Sequence, residues 1–389
     1  MNIFLMVVFG FIAPQRPIFT DSTRVIKLYL CTVSKKVILM YKETKQRCWQ
    51  RFLERTERVS EELFLSREQQ LLSHVLLSIS RFKFLASPRG KQLGGVEMSD
   101  RNLLIGDVEI VRIVDAIVDY PFPLDEFYPG VPVENWDPWR KEYPTTFATE
   151  KTHRLVYTCY VLRSAGQTIL VDTGLGPAWA PLAVFWQQTN AARQAFQLLD
   201  ELQSVGVRPE DVQMVFLTHL HPDHVGWNLL QENGQSRLTF PRARYVLHQA
   251  GWEAFHTPEM QALLPFDYIG VHVTPLEHLG ALELLIKDSD LAPGIAVIHT
   301  PGHMSVVISS KGQNAILVSD AFIHPAQITE PTWDCMFDVD KEMAQQTRRR
   351  LLERITADEA IVYVSHFPAP GIGRIVRRDQ RYYWHAREE

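Results

Sequence analysis

The stretch that most constrains this chain is THLHPDHVGW, residues 218–227, which directly follows the apolar run MVFL. Three histidines and an aspartate lie within six positions: His219, His221, Asp223 and His224. His219 and His221 are two residues apart, so at the end of an extended strand their rings point the same way and can bind one divalent ion. Asp223 and His224 follow on the turn, where they can face a second ion. The sequence therefore predicts a metal centre at the end of a buried strand.

The runs around this stretch are typical of an α/β fold. Ser164 to Gln167 separates two β-branched runs, which predicts adjacent antiparallel strands. Apolar positions at helical spacing predict helices over 190–207, ending at Gly206, and over 341–356. The proline-rich, aromatic segment 121–144 predicts irregular structure. Strands in both halves with helices between them favour one α/β sandwich. Strands are predicted over 108–120, 153–164, 168–174, 213–218, 243–248, 294–300, 306–310, 314–320 and 360–366.

The chain divides by charge into two parts. Residues 1–97 contain 16 Lys and Arg against 8 Asp and Glu, whereas residues 98–389 contain 24 against 37. A helix is predicted over 50–82, and a glycine-rich linker follows it before Met98. We therefore expect 1–97 to be a basic N-terminal extension of unknown role and 98–389 to be the domain that carries the metal site.

Composition also limits compartment and partners. The apolar first 13 residues lack a basic n-region and are too short to cross a bilayer, so no stable membrane insertion is expected. The acidic balance of 98–389 argues against nucleic acid as a partner. The cysteines are far apart without a Cys-x-x-Cys pair, which favours a reducing cytoplasm over a disulfide framework. They are Cys31, Cys48, Cys159 and Cys335.

Five segments, in order, resemble the metallo-β-lactamase fold superfamily over residues 107–385. They are LVDTG with Asp172, THLHPDH, HTPGHMS with His303, LVSD with Asp320 and VSH with His366. The resemblance implies an α/β fold in the form of a four-layer αββα sandwich. It also implies a site for two divalent ions, in which Asp172 orients the ligands.

The resemblance assigns a ligand role to seven residues. One ion would be held by His219, His221 and His303, the other by Asp223, His224 and His366, and Asp320 would bridge both. Nitrogen and oxygen ligands without thiolate suit zinc, with manganese and iron left open. His303 is preferred to His299 because it follows a Thr-Pro-Gly turn. His324 stays open between a substrate-facing and a structural role.

A dinuclear site of this kind implies hydrolysis. A hydroxide that bridges the two ions would be the nucleophile, and the ions would polarise the substrate oxygen, so no Ser or Cys nucleophile is required. Asp320 and Asp223 are the expected catalytic residues. Asp320 would bridge the ions, and Asp223 would deliver a proton to the leaving alkoxide.

The C-terminal segments suggest the substrate class. The sequence after Asp320 and after His366 is similar to methyl parathion hydrolase and its relatives, whose substrates are phosphotriesters, aryl esters or lactones. Quorum-quenching lactonases share the seven ligands but typically carry a tyrosine three residues after the bridging aspartate, where this chain has Ile323, so the resemblance to them is weaker. We expect a small neutral ester or lactone as substrate, with a phosphotriester as a secondary one. A homodimer stays open.

Two other enzyme classes of this fold remain alternatives. The basic run GRIVRRD, residues 373–379, keeps a glyoxalase II-like thioesterase open, and a nuclease is disfavoured by the acidic domain. Several aromatic side chains either roof an apolar pocket or complete the core. They are Phe122, Phe127, Tyr128, Trp136, Trp139, Trp179, Phe185 and Trp186.

Overall fold

The computed structural model describes residues 102–388, except 190, 195, 233–234, 262–265 and 301–302. The predicted extension 1–97, including its helix over 50–82 and its apolar first residues, lies outside the described residues.

The larger sheet is built from nine strands of the described chain. They are β1 (Asn102–Ile105), β2 (Val108–Pro123), β3 (Phe147–Thr149), β4 (Thr152–Ser164), β5 (Gln167–Val171), β6 (Ala192–Gln194), β7 (Met214–Phe216), β10 (Arg244–His248) and β11 (Leu282–Leu285). Their order is β1–β2–β4–β5–β7–β10–β11, while β3 pairs with β4 and β6 pairs with β2. Within this order, β5, β7, β10 and β11 run parallel to one another, so their carboxyl ends lie at the same edge of the sheet.

The smaller sheet follows later in the chain. Its strands are β12 (Ser289–Ala292), β13 (Ile295–Thr300), β14 (His303–Ser310), β15 (Gln313–Leu317), β16 (Ile361–Tyr363), β17 (Ile372–Arg378) and β18 (Arg381–Ala386), and they lie in sequence order. Only the β15–β16 pair is parallel among these described strands. A separate hairpin is formed by β8 (Leu229–Glu232) and β9 (Gln235–Leu238).

The helices are mostly short. They are α1 (Leu124–Phe127), α2 (Asp137–Glu142), α3 (Pro181–Gln188), α4 (Leu198–Ser204), α5 (Pro222–Val225), α6 (Gln249–Phe255), α7 (Pro258–Gln261), α8 (Tyr268–His272), α9 (Thr274–His278), α10 (Ala326–Thr329) and α11 (Lys341–Ala357). Single 3-10 turns lie at Val133–Trp136, Pro144–Thr146, Pro209–Asp211 and Ser319–Ala321. The long helix α11 begins at Asp340, whose side chain accepts a hydrogen bond from Met343 N.

Side-chain alternation along the strands builds the layers. In β5, Ile169 packs against the smaller sheet, whereas Leu170 packs with Leu202 of α4 on the opposite face. In β15, Leu317 faces the larger sheet, whereas Ile316 packs under α11. Two sheets thus pack face to face with helices outside both, which confirms the predicted αββα sandwich.

Two predictions of local structure are wrong in part. The helix predicted over 190–207 is limited to Leu198–Ser204, because Ala192–Gln194 pairs with β2 at Ile117 and Val118 instead. The segment 121–144 contains helices α1 and α2 rather than irregular structure throughout. Most of its aromatic side chains are buried, so tertiary packing stabilises helices that are too short to form alone.

No helix in the described part of the chain has both the length and the apolar character needed to cross a bilayer.

Candidate metal centre

The predicted histidines and aspartates lie in loops that follow parallel strands. β7 ends at Phe216 and α5 begins at Pro222, so His219 and His221 occupy the loop between them. Asp223 and His224 lie in the first turn of α5, which is placed where the carboxyl ends of the parallel strands meet.

The smaller sheet contributes the remaining residues. Asp320 lies in the 3-10 turn after β15, and His366 follows the neighbouring parallel strand β16. His303 begins β14, and the next residue, Met304, donates its backbone N–H to Thr218 O at 3.0 Å. This bond joins the two sheets at the site.

The structure brings all seven predicted residues together in two groups. In each group, one possible ligand atom per residue lies within 4.8 Å of the others. The first group is His219, His221, His303 and Asp320, and the second is Asp223, His224, Asp320 and His366. Asp320 belongs to both.

Asp320 lies between the two groups. Its Oδ2 is 3.6 Å from His219 Nε2 in the first group and 3.0 Å from His366 Nε2 in the second. Its Oδ1 is 3.3 Å from His224 Nε2. The carboxylate is therefore placed as a bridging ligand would be.

The donor set fits divalent ions. His224 Nε2 and Asp320 Oδ1 are buried and have no hydrogen-bond partner among the described residues. Buried polar atoms are nearly always paired, because leaving one unpaired costs about 1–3 kcal/mol. Two unpaired atoms facing each other at 3.3 Å are accounted for by an ion that both would contact.

Hydrogen bonds behind the rings orient three of the histidines. Asp172 Oδ2 lies 2.8 Å from His224 Nδ1, and Val156 O lies 3.0 Å from His366 Nδ1. His219 Nδ1 lies 3.1 Å from Thr218 Oγ1. In each case the other ring nitrogen, Nε2, faces the centre, where His219 Nε2 lies 2.8 Å from His221 Nδ1 and His366 Nε2 lies 3.0 Å from Asp320 Oδ2.

The charge states of the site follow from burial and from the carboxylates. Burial lowers the pKa of His221 and of His303 to about 4, so both rings are neutral and able to act as ligands at pH 7. Burial also acts to lower the pKa of His224, but the nearby carboxylates of Asp320, Asp223 and Asp172 outweigh it and raise that pKa well above its usual value. An ion bound there would replace that proton.

A cavity of 260 Å³ opens beside the first group. It is lined by His219, His221 and His303 together with apolar side chains. Those side chains are Leu247, Phe255, Met260, Phe337, Val339 and Met343. The centre therefore faces a mainly apolar pocket, as is typical of small-molecule sites.

The aromatic side chains considered as a pocket roof are mostly core residues. Phe127, Tyr128 and Trp136 are fully buried, and none of the eight lines the cavity beside the centre. Phe127 packs instead against Phe337, with ring centroids 5.6 Å apart, and Phe337 in turn contacts His221 at 5.6 Å. The cluster supports the cavity wall from behind.

The structure decides the role left open for His324 and also places His299, which was not preferred as a ligand. His324 is buried, its Nδ1 accepts from Ala326 N at 3.0 Å, and its Nε2 lies 2.8 Å from Thr146 Oγ1. Both ring nitrogens are used within the protein, so His324 has a structural role. His299 lies outside both groups of possible ligands, on the rim of the cavity.

Arg348 and Phe337 were not identified from the sequence. Arg348 is 2% exposed and pairs with Asp334 at 2.8 Å and with Asp338 at 3.1 Å. These pairs hold the segment that carries Phe337 against α11. An arginine within the run RRR of a polar helix carries no sequence signal of burial.

The sequence also matches the model of a known protein family. A model of the Metallo-beta-lactamase superfamily matches residues 154–366, which is more than half of the chain. The chain belongs to the metallo-beta-lactamase superfamily. The protein is a metal-dependent hydrolase of this superfamily.

Relatives and solved structures agree with this assignment. An N-acyl homoserine lactonase of Bacillus cereus is 26% identical over 220 residues, covering 54% of this chain and 80% of that protein. The human Metallo-beta-lactamase domain-containing protein 1 is 30% identical over 211 residues, covering 51% of this chain and 58% of that protein.

The solved structures support the fold. The dizinc quorum-quenching lactonase AidC superposes with a TM-score of 0.62 at 20% identity, covering 74% of this chain and 97% of that chain. The hydrolase AbOPH superposes with a TM-score of 0.61 at 22% identity and the same coverage.

Proposed function

We propose that this protein is a dinuclear metallohydrolase that cleaves a small neutral ester, with lactones as the first candidates. The observation that carries the proposal is the placement of Asp320, whose two oxygens lie within 3.6 Å of ring nitrogens from both ligand groups. One carboxylate shared by two complete sets of ligands is the arrangement that a pair of ions requires.

The expected ions are zinc, and seven residues would hold them. His219, His221 and His303 would bind one ion, Asp223, His224 and His366 the other, and Asp320 both. When bound, such ions supply a water of lowered pKa and a Lewis acid for the substrate oxygen. Manganese and iron suit the same nitrogen and oxygen ligands.

The protein's own residues set the geometry of the reaction. Asp172 and the carbonyl of Val156 hold the rings of His224 and His366 so that Nε2 faces the reacting centre. Phe255 and Phe337 contact His221 from its sides, with ring centroids at 5.1 and 5.6 Å. These rings exclude water from one side of the centre and favour an uncharged substrate.

Asp223 is the candidate group that would take up the proton lost by the attacking water and deliver it to the leaving group. Its Oδ2 lies 3.4 Å from His224 Nε2 and 3.7 Å from His366 Nε2, and its side chain is 14% exposed. It is the more accessible of the two carboxylates in the second group, since the side chain of Asp320 is 9% exposed. An alkoxide leaving group needs this proton more than a phenolate does.

The lactone preference rests on the pocket and on the relatives. The cavity beside the centre is mainly apolar, which suits a neutral acyl compound better than an anionic one. The relative from Bacillus cereus is an N-acyl homoserine lactonase. Phosphotriesters remain a secondary substrate class for the same centre.

The thioesterase alternative depends on the basic run at 373–379. In the structure this run lies mainly on β17, where Arg374 donates to Glu359 O at 2.7 Å and Arg377 contacts Gln380. These arginines already have partners within the protein. Glutathione thioesters therefore belong in the substrate panel as a competing outcome.

The test is a panel assay on the metal-replete protein with elemental analysis. Two divalent ions per chain and hydrolysis of lactones or aryl esters are expected. Asp223→Asn should reduce turnover about 10²- to 10⁴-fold for lactones and much less for nitrophenyl esters. One ion or none, equal losses on both substrates, or activity confined to nucleic acids or glutathione thioesters would overturn the proposal.

A further inference from the structure

A pair of stacked histidines lies on the rim of the cavity, outside the candidate ligand set. His248 ends β10, and its ring stacks on His299 with centroids 4.8 Å apart and planes 11° apart. Both line the same cavity as His221 and His303. Neither belongs to the two ligand groups.

The proton of the His248 ring is placed by a backbone contact. Its Nδ1 accepts a hydrogen bond from Ala250 N at 3.2 Å, where the chain enters α6. A neutral imidazole that accepts at Nδ1 carries its proton on Nε2. Burial, and then the neighbouring His299, lower the pKa of His248, which keeps the ring neutral at pH 7.

The Nε2–H of His248 is a donor held in a fixed direction. No hydrogen-bond acceptor for it is found among the described residues. The bond from Ala250 and the stack on His299 fix the plane of the ring, and His299 is anchored through its backbone N, which donates to Asp288 Oδ1 at 2.7 Å. A donor fixed in this way loses little entropy when it binds an acceptor.

The cavity that His248 lines is mainly apolar. Phe255, Met260 and Met343 line the same cavity and offer no directional contact. In mainly apolar pockets, a small number of polar groups fixes the orientation of the ligand. The donor of His248 is therefore placed to select among substrates that share the same reacting group.

We propose that His248 is a specificity-determining residue that donates a hydrogen bond from Nε2 to a carbonyl oxygen in the part of the substrate that is not cleaved. The enzyme would then prefer esters or lactones that carry a second carbonyl, such as an amide, over those with only an alkyl chain. This inference rests on the proposed esterase or lactonase activity.

The experiment compares two lactones in the metal-replete protein. N-hexanoyl homoserine lactone has an amide carbonyl, and γ-decanolactone has none. His248→Asn retains a side-chain acceptor for Ala250 N but removes the distant donor. It should lower kcat/KM about tenfold for the amide-bearing lactone, equivalent to about 1.4 kcal/mol, with little change for the alkyl lactone.

Two further variants separate specificity from stability. His248→Gln returns an N–H near the position of Nε2 and should restore most of the preference. His256→Asn alters a histidine at the other end of α6, outside the cavity, and should leave the preference unchanged. If His248→Asn does not fold, His299→Ala decides instead, since loss of the stack should reduce the preference by a smaller factor.

The outcomes are distinguishable. If the parent protein cleaves neither lactone, the proposed function fails and this inference with it. If it cleaves both lactones and the ratio of their kcat/KM values is unchanged in His248→Asn, or in His299→Ala when His248→Asn does not fold, only the role of His248 is overturned. Equal losses on both lactones in His248→Asn and His248→Gln would show a structural role and also overturn it.

Discussion

Replacing Asp172 by Asn should weaken one metal position selectively. Asp172 Oδ1 accepts from Thr218 N at 2.8 Å, and its Oδ2 lies 2.8 Å from His224 Nδ1. Asn is nearly isosteric and tolerates the left-handed backbone of this residue, where φ is +60°. Its oxygen can retain the bond from Thr218, but its amide N–H₂ then faces His224 Nδ1.

The expected loss of metal affinity follows from the position of the proton on the His224 ring. With an amide donor opposite Nδ1, the neutral ring must carry its proton on Nε2, the atom that lies 3.3 Å from Asp320 and would bind the ion. Loss of such an orienting partner typically costs about 10- to 100-fold in metal affinity, or about 1.4–2.7 kcal/mol. The position formed by His219, His221 and His303 should change much less.

The assay is a competition titration of the metal-free protein against a chromophoric chelator, which resolves the two binding steps. Asp107→Asn is the matched control, because it also removes one carboxylate but at an exposed residue paired with Lys311. Circular dichroism would check that both variants fold. If Asp172→Asn binds both ions with the affinity of the parent protein, the orienting role assigned to Asp172 is wrong.

Three further predictions test the bridge, the extension and the core. Asp320→Ala should lose activity and at least one ion while the fold persists, and full turnover would refute the bridge. A chain that begins at Met98 should fold and bind metal, since all the candidate ligands follow it; failure would show that 1–97 is required. Burial lowers the pKa of His272 to about 3 from 6.5, so the unfolded chain binds the extra proton and stability falls as pH drops below 6.5. His272→Phe can keep the stack on Trp179. Between pH 7 and pH 5 its free energy of unfolding, measured with urea, should fall by about 2 kcal/mol less than that of the parent protein, and an equal fall would contradict this.

Local patterns in the sequence predicted most of the regular elements and the residues that the structure brings together in the two candidate ligand groups. The predicted strands before His219, Asp320 and His366 are all present, and they end where the parallel strands meet. Because each such strand delivers its next loop to the same edge, residues far apart in sequence are brought together by topology alone. The helix predicted over 341–356 is also confirmed as α11.

Packing between distant segments decided what could not be predicted. The apolar residues from Ala192 onward have the spacing of a helix, yet Ala192–Gln194 pairs with β2. Because its strand partner lies some 75 residues earlier in the chain, the local sequence carries no signal of this pairing. His324 was undecided for the same reason. Its role became clear only when Thr146, 178 residues earlier, was found 2.8 Å from its ring.

The position of Phe337 in the cavity wall also depends on packing between distant segments that the sequence does not predict. Phe337 contacts His221, and it is held there because Asp334 and Asp338 on either side pair with the buried Arg348 of α11. A buried arginine is stable only when its charge is fully paired, so these two carboxylates fix the segment between them and with it the ring of Phe337. The candidate metal ligands can be predicted from short sequence motifs, because ions impose strict residue types and spacings. Under the proposed function, substrate preference depends instead on side chains such as Phe337 and His248, which line the cavity through packing contacts that no motif encodes.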